Sequence, residues 1–272
     1  MIVYLAGASS GLGLHTARQL QKAGMTVVAG ARSYAGQEGL CDGIYRLALD
    51  VREPASVKRF IETAVKTVGP PDALICAQGV LNLCAAAEYT DQDLNDILDT
   101  NFMGSVRLIR EAMPWFCEKK QGKIILFSSI NGLLGIPFQG GYTASKHAIE
   151  GYAECLRMET RSEGISVCLV TPGDHQSGQK KYRRHGATED HSSPYHEKYR
   201  NAVRQIEHDE DNGSDPDVLG SKIAKALQKR HLPERLLIAK ADQKLAVFLH
   251  RILPIRWFSA IISAYYGTSK HG

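Results

Sequence analysis

Tyr142 and Lys146 stand four residues apart in Tyr142-Thr143-Ala144-Ser145-Lys146, and Ser129 lies thirteen residues before the tyrosine. Four residues is about one helical turn, so a helix over this stretch projects both side chains from one face. A free phenol titrates near a pKa of about 10, too high for an efficient base at neutral pH, and a neighbouring ammonium lowers it by favouring the phenolate. The hydroxyl of Ser129, at the mouth of a strand, would hold a reacting oxygen beside the phenol and so fix its orientation in advance. The chemistry these groups suit is proton transfer to or from the oxygen of a carbonyl or alcohol. A tyrosine and a lysine at this spacing arise by chance in many helices, so the argument depends on the elements around them.

One such element is the glycine turn Gly7-Ala8-Ser9-Ser10-Gly11-Leu12-Gly13, between an apolar run at 2–6 and a helical pattern at 12–23. Glycine permits the tight turn and lets backbone approach a phosphate, whose charge the free amides of a helix start stabilise. The spacing is GxxxGxG, so it is neither GxGxxG nor a phosphate loop ending in Gly-Lys. The residues that close the second strand choose the nucleotide. A carboxylate there would accept from two ribose hydroxyls and repel a 2′-phosphate. Ala31-Arg32-Ser33 instead offers a cation and a hydroxyl, which favours NADP(H) over NAD(H). Asp50, at the end of the third strand, is positioned either to accept from the adenine amino group or to cap the helix that Pro54 opens.

Apolar runs at 2–6, 27–31, 45–49, 73–76, 124–127, 165–171 and 235–238 read as seven strands. Helical patterns at 12–23, 54–68, 91–119 and 142–162 alternate with them. This rhythm predicts an α/β fold with parallel pairing, right-handed crossovers and a doubly wound sheet covered on both faces. The interval 174–217 departs from it, with a basic section (Lys180, Lys181, Arg183, Arg184) followed by an acidic one (Glu207, Asp209, Glu210, Asp211). Both read as solvated faces, yet an insertion after a parallel strand lies at the carboxyl edge where such sheets bind ligands. The expected organisation is one domain over 1–240, with a substrate loop at about 174–217, and a C-terminal amphipathic helical extension over 241–272 broken near Pro254.

A chain of 272 residues, 43% hydrophobic, suits one domain with a sizeable core, and its formal charge of +4 does not call for nucleic acid. The six cysteines form no CxxC pair and are expected to be reduced and mostly buried, in a cytoplasmic setting. No signal peptide is expected, and no apolar stretch approaches the roughly 20 residues that cross a bilayer. The histidines lack a compact ligand spacing, so no metal is expected. Apolar and basic residues of the extension suit peripheral membrane contact, cover for an apolar substrate, or contact with another subunit.

With these residues in hand, the chain resembles the classical short-chain dehydrogenase/reductase family over about residues 1–173. The resemblance implies a single Rossmann-type domain with a seven-stranded parallel sheet, and a catalytic set of Asn101, Ser129, Tyr142 and Lys146 in which the asparagine holds a water linking the lysine to solvent. Expected cofactor contacts are Gly7, Ser9, Ser10, Gly11, Leu12, Gly13, Arg32, Ser33, Asp50, Val51, Gly79, Tyr142, Lys146, Pro172, Gly173 and Ser177. Pro172-Gly173 matches the segment beside the nicotinamide, and Ser177 takes the position of a threonine that contacts the carboxamide. Cys76-Ala77-Gln78-Gly79 keeps only the glycine of the family's Asn-Asn-Ala-Gly, and Asp174-His175-Gln176 is more polar than usual.

The resemblance also implies a homodimer or homotetramer. The apolar tail, and a wall from Leu133, Leu134, Ile136 and Phe138, favour a hydroxysteroid or bile acid resembling substrates of hydroxysteroid and retinol dehydrogenases. A fatty or sphingoid-base ketone is the alternative. A non-catalytic nucleotide-sensing or scaffold protein is a third reading, which retention of all four catalytic positions opposes.

Overall fold

Along β1 (Ile2–Ala6), Val3 and Leu5 enter one core while Tyr4 and Ala6 enter another, and all four side chains are fully buried. A strand inverts its side chains at every residue, so a run that is apolar throughout must be covered on both faces. The computed structural model describes residues 1–269; residues 270–272, the end of the expected extension, lie outside the described residues.

The chain continues through α1 (Gly11–Lys22), β2 (Thr26–Ala31), β3 (Gly39–Cys41), β4 (Ile44–Ala48), α2 (Pro54–Val68), β5 (Ala73–Cys76) and β6 (Asn82–Leu83). Next come α3 (Asp91–Leu98), α4 (Gly104–Lys119), β7 (Gly122–Phe127), α5 (Gly140–Thr160), β8 (Ile165–Pro172) and β9 (Arg184–His185). The last elements are α6 (His196–Asp211), α7 (Pro216–Leu227), β10 (Arg235–Ile238), α8 (Ala241–Ile252) and α9 (Ile255–Tyr265).

The main sheet runs β10-β8-β7-β5-β1-β2-β4-β3. Every neighbouring pair in it is parallel except β3 with β4. The seven expected strands are therefore joined by an eighth, β3, which turns back through Asp42-Gly43 and lies antiparallel on the edge. Its Leu40 is 63% exposed, so it adds no apolar run that a sequence reading would detect. β1 is flanked by β2 and β5, and the order of the strands reverses direction there. A crevice opens at such a switch point, outside the carboxyl ends of the strands.

Helices α1 and α7 cover one face through Ala17, Leu20, Leu219, Ile223 and Leu227. Helices α2, α4 and α5 cover the other through Phe60, Ile61, Leu108, Phe116 and Ile149. A third cluster joins Leu81, Ile136, Tyr199 and Ile206 to Val247, Phe258 and Tyr266, so the C-terminal helices pack over the crevice side of the domain. Their outward faces expose Phe248, Ile252, Ile255 and Trp257. Among the described residues no helix is long and apolar enough to cross a membrane.

The interval 174–217 is more ordered than its composition suggests. β9 pairs in parallel with β6, and α6 buries Tyr199, Ala202 and Ile206. Most of its charged side chains are solvated, as expected, but Lys180 and Arg183 of the basic section pair with the acidic one. The Arg183 side chain is fully buried and pairs with Glu210 and Glu207, while Lys180 Nζ lies 3.1 Å from Glu207. The six thiols are free; Cys76, Cys84 and Cys168 are buried, but Cys155 is exposed.

Candidate active site

The crevice is a cleft of about 830 Å³. Of the expected cofactor contacts, all but Gly173 line it. At its floor Gly7 adopts φ +82°, and a Cβ there would come within 2.5 Å of the Gln78 amide nitrogen. A Cβ on Gly13 would come within 2.1 Å of the Gly7 carbonyl oxygen, so glycine is what lets α1 seat against β1. Ser10 makes no side-chain cap and the first turn of α1 carries no acid, which leaves the helix start open to an anion. Ser177 sits against Gly11, with its carbonyl oxygen 3.6 Å from where a Cβ would be.

At the far end, Arg32 and Ser33 are exposed on a short turn after β2, and Tyr34 Oη donates to the Ala8 carbonyl at 3.0 Å, tying that turn to the glycine loop. Asp50 accepts from the Arg52 amide at 3.0 Å; burial works to raise its carboxyl, and Arg52 outweighs this and holds it low. It does not cap α2, whose N-cap is Glu53. Arg107 donates to the Val51 carbonyl at 3.1 Å. A glycine cradle, an uncapped helix start and an arginine in the place of a carboxylate after β2 fit NADP(H).

The catalytic candidates meet at the middle of the cleft. Tyr142 and Lys146 share a face of α5, with Nζ 5.4 Å from the phenol ring centroid and donating to the Phe127 carbonyl at 2.7 Å. Burial lowers the Lys146 ammonium to about 8, against the pull of Glu150. The expected lowering of the phenol is not what this arrangement produces. Burial pushes Tyr142 up to about 12, the neighbouring Ser129 hydroxyl opposes this, and Asp174 and Glu210 reinforce it. Desolvation disfavours the phenolate more than the surrounding groups favour it.

Ser129 Oγ donates to Asn131 Oδ1 and accepts from its amide, both at 3.2 Å, and Asn131 Nδ2 donates to Gln139 Oε1 at 3.0 Å. Asn101 lies in a π-helical turn, Asp99–Met103, between α3 and α4. Such single π turns are frequent at functional sites, and this one buries Asn101. Its Nδ2 donates to the Val80 carbonyl at 3.0 Å and to Ser145 Oγ at 2.9 Å, and its Oδ1 accepts from the Val80 amide at 2.7 Å. Both side-chain donors therefore serve to tie the segment after β5 to α5, next to Gly79.

Beside Tyr142 a smaller cavity of about 70 Å³ opens, lined in part by Ile130, Ile136, Ile206, Asp174, His175, Asp209, Glu210 and Tyr266. Of the expected apolar wall only Ile136 reaches it; Leu133, Leu134 and Phe138 pack behind, in the third cluster. Asn131, Gln139, Asp209 and Glu210 were not among the expected site residues. For the two acids the signal was present: Ile206, Asp209 and Glu210 are three and four residues apart, on the face of α6 that Tyr199 and Ala202 bury. Among the described residues no group of three or more His, Cys, Asp or Glu side chains is arranged to hold a metal ion.

A dinucleotide cleft meeting a Tyr-Lys-Ser set whose lysine and serine are buried defines a nicotinamide-dependent oxidoreductase. The chain belongs to the short-chain dehydrogenase/reductase family: the family described as short chain dehydrogenase matches residues 1–187. It is 34% identical over 245 residues to a 3-ketodihydrosphingosine reductase of Bacteroides thetaiotaomicron, with 90% of each chain covered. Among solved structures it is similar to a short-chain dehydrogenase from Streptomyces avermitilis, with a TM-score of 0.82, 25% identity and 99% of both chains covered. An alcohol dehydrogenase from Thermococcus sibiricus complexed with 5-hydroxy-NADP shares the fold at a TM-score of 0.71 and 19% identity, covering 88% of this chain and 96% of that one.

Proposed function

We propose that the protein reduces the ketone of a long-chain sphingoid base to a secondary alcohol with NADPH. The observation that carries this reading is the likeness to the Bacteroides thetaiotaomicron reductase, which spans nine-tenths of both chains and so includes elements beyond the dinucleotide cleft. It is preferred over the hydroxysteroid or bile acid because a small cavity with carboxylates in its wall suits a slender polar head better than a rigid neutral ring system.

NADPH, when bound, supplies a hydride to the carbonyl carbon. Tyr142 donates its phenolic proton to the carbonyl oxygen, Ser129 orients that oxygen, and the Lys146 ammonium favours the phenolate left behind. Asn101 keeps α5 and the Gly79 segment in register around this set. Steady-state loss of reduced nicotinamide should be seen with 3-ketodihydrosphingosine and should be far slower with steroid and bile-acid ketones. The reverse ranking would sink the substrate assignment.

For the nucleotide, Arg32→Asp should reverse the preference toward NADH, because a carboxylate repels the 2′-phosphate and accepts from the free ribose hydroxyls. The ratio of kcat/KM for the two cofactors measures it. An unchanged ratio would refute the role given to Arg32.

A further inference from the structure

Three carboxylates, Asp174, Asp209 and Glu210, line the cavity beside Tyr142. Asp174 follows β8, and Asp209 and Glu210 come from the last turn of α6. Asp174 Oδ2 accepts from Gln243 Nε2, and Asp209 Oδ1 accepts from Tyr265 Oη at 2.8 Å and Gln205 Nε2 at 2.9 Å. Among the described residues neither Asp174 Oδ1 nor Asp209 Oδ2 has a hydrogen-bond partner. Glu210 is paired with the buried Arg183, the one cation in contact with the cluster among the described residues.

His175 adds an independent sign. It is only 4% exposed and lines the same cavity. Its Nδ1 lies 2.8 Å from the Gly173 carbonyl, so that nitrogen carries the proton, and Nε2 is left as a buried acceptor without a partner. Burial lowers its pKa, which keeps the ring neutral and Nε2 an acceptor. Buried acceptors without donors are costly unless a ligand supplies the donors.

A neutral ketone brings no such donors. A 2-amino-1-hydroxy-3-ketone brings an ammonium on the carbon next to its carbonyl and a hydroxyl on the carbon beyond, and Tyr142 fixes that carbonyl at the edge of this cavity. Resting on the ketone-reductase reading above, we propose that Asp174, Asp209 and His175, backed by Glu210, bind the ammonium and hydroxyl of an amino ketone and so select it over a neutral ketone.

The charge of Asp174 does not stabilise the fold. Asp174 is faced by Asp209 and Glu210 of α6, Gln243 and Asp242 of α8, and by Tyr142 and Tyr266, while His175 is faced by Asp215, the N-cap of α7, and Lys222 of α7. Burial, Asp209 and Glu210 raise its carboxyl from 3.8 to about 7. The folded state then binds a proton that the unfolded state has released, so this residue's contribution to stability falls as pH rises from 3.8 to about 7. Asp174→Asn should therefore have a higher Tm than the parent above that window, and a smaller advantage below it.

The deciding experiment compares kcat/KM for 3-ketodihydrosphingosine and for its chain-matched analogue lacking the amine, with NADPH. The parent enzyme should prefer the amino ketone by about 10- to 100-fold, the range for hydrogen bonds to a charged group. In Asp174→Asn and in Asp209→Asn, which keeps an acceptor for Gln205 and Tyr265, that preference should shrink toward unity, chiefly through KM for the amino ketone. Equal use of both ketones by the parent, or an unchanged preference in both variants, would overturn the ammonium site and leave the ketone-reductase reading standing. Turnover of neither ketone would overturn that reading and this inference with it.

Discussion

Tyr142→Phe lowers the rate of ketone reduction by about 10²- to 10⁴-fold, the range that a positioned acid contributes. It should leave Tm near the parent value, because Ser129 keeps its bonds to Asn131 when the phenolic hydroxyl is gone. The pH dependence of each direction follows from the same group. A phenol held near 12 is fully protonated at neutral pH, which is the state a reduction needs. Reduction should therefore show no loss from pH 6 to 9 attributable to this residue. Alcohol oxidation needs the phenolate, whose fraction grows tenfold with each pH unit below the pKa, and should accelerate on the alkaline side. Single-turnover hydride transfer in both directions checks this, and a Phe variant that kept most of its reductase rate would remove Tyr142 from the acid role.

The parallel sheet was legible because strands covered on both faces read as unbroken apolar runs. It was illegible where that condition fails. β3 is a three-residue edge strand with an exposed leucine between a glycine and a cysteine, and nothing in its pattern distinguishes it from a loop. β7 begins at Gly122, before the apolar run at 124–127, because Lys123 enters the core carrying its charge. Its Nζ donates to the carbonyls of Leu227 and Lys229 at 2.7 Å, at the C-terminal end of α7, where a cation meets free carbonyls and the negative end of the helix dipole. α6 was hidden by its charge: read residue by residue it is a polar segment, and only the spacing of Tyr199, Ala202 and Ile206 marks a buried face.

The site divides along a similar line. Residues fixed by local backbone needs, the glycine turn above all, could be read from spacing, because no other side chain tolerates the contacts at Gly7 and Gly13. Asn101 could be aligned by resemblance, but the π-helical turn that carries it is invisible in a periodic stretch running from α3 into α4. The wall of the small cavity depends on how α6 and the C-terminal helices fold back across the sheet edge. Long-range packing of that kind brings Asp209 and Glu210 to Tyr142 from more than sixty residues away. No local pattern encodes that meeting.

Lys146 is the residue at which fold and function are opposed. Its ammonium is buried with one carbonyl partner, and burial lowers it from 10.5 to about 8. From pH 8 to 10.5 the unfolded chain retains a proton that the folded chain has lost, so stability contributed by this group rises with pH across that window and is at its lowest below it. Lys146→Met keeps the length of the side chain and removes the charge. At neutral pH, without cofactor, its Tm should lie above that of the parent, and it should lack the alkaline rise. Its reductase rate should nevertheless fall by about 10²-fold or more, since the phenolate formed when Tyr142 gives up its proton loses the adjacent positive charge. Thermal unfolding as a function of pH, set beside turnover of the same preparation, separates the two effects. A variant that lost stability along with activity would mean that the ammonium holds α5 in place, and that its part in proton transfer has been misassigned.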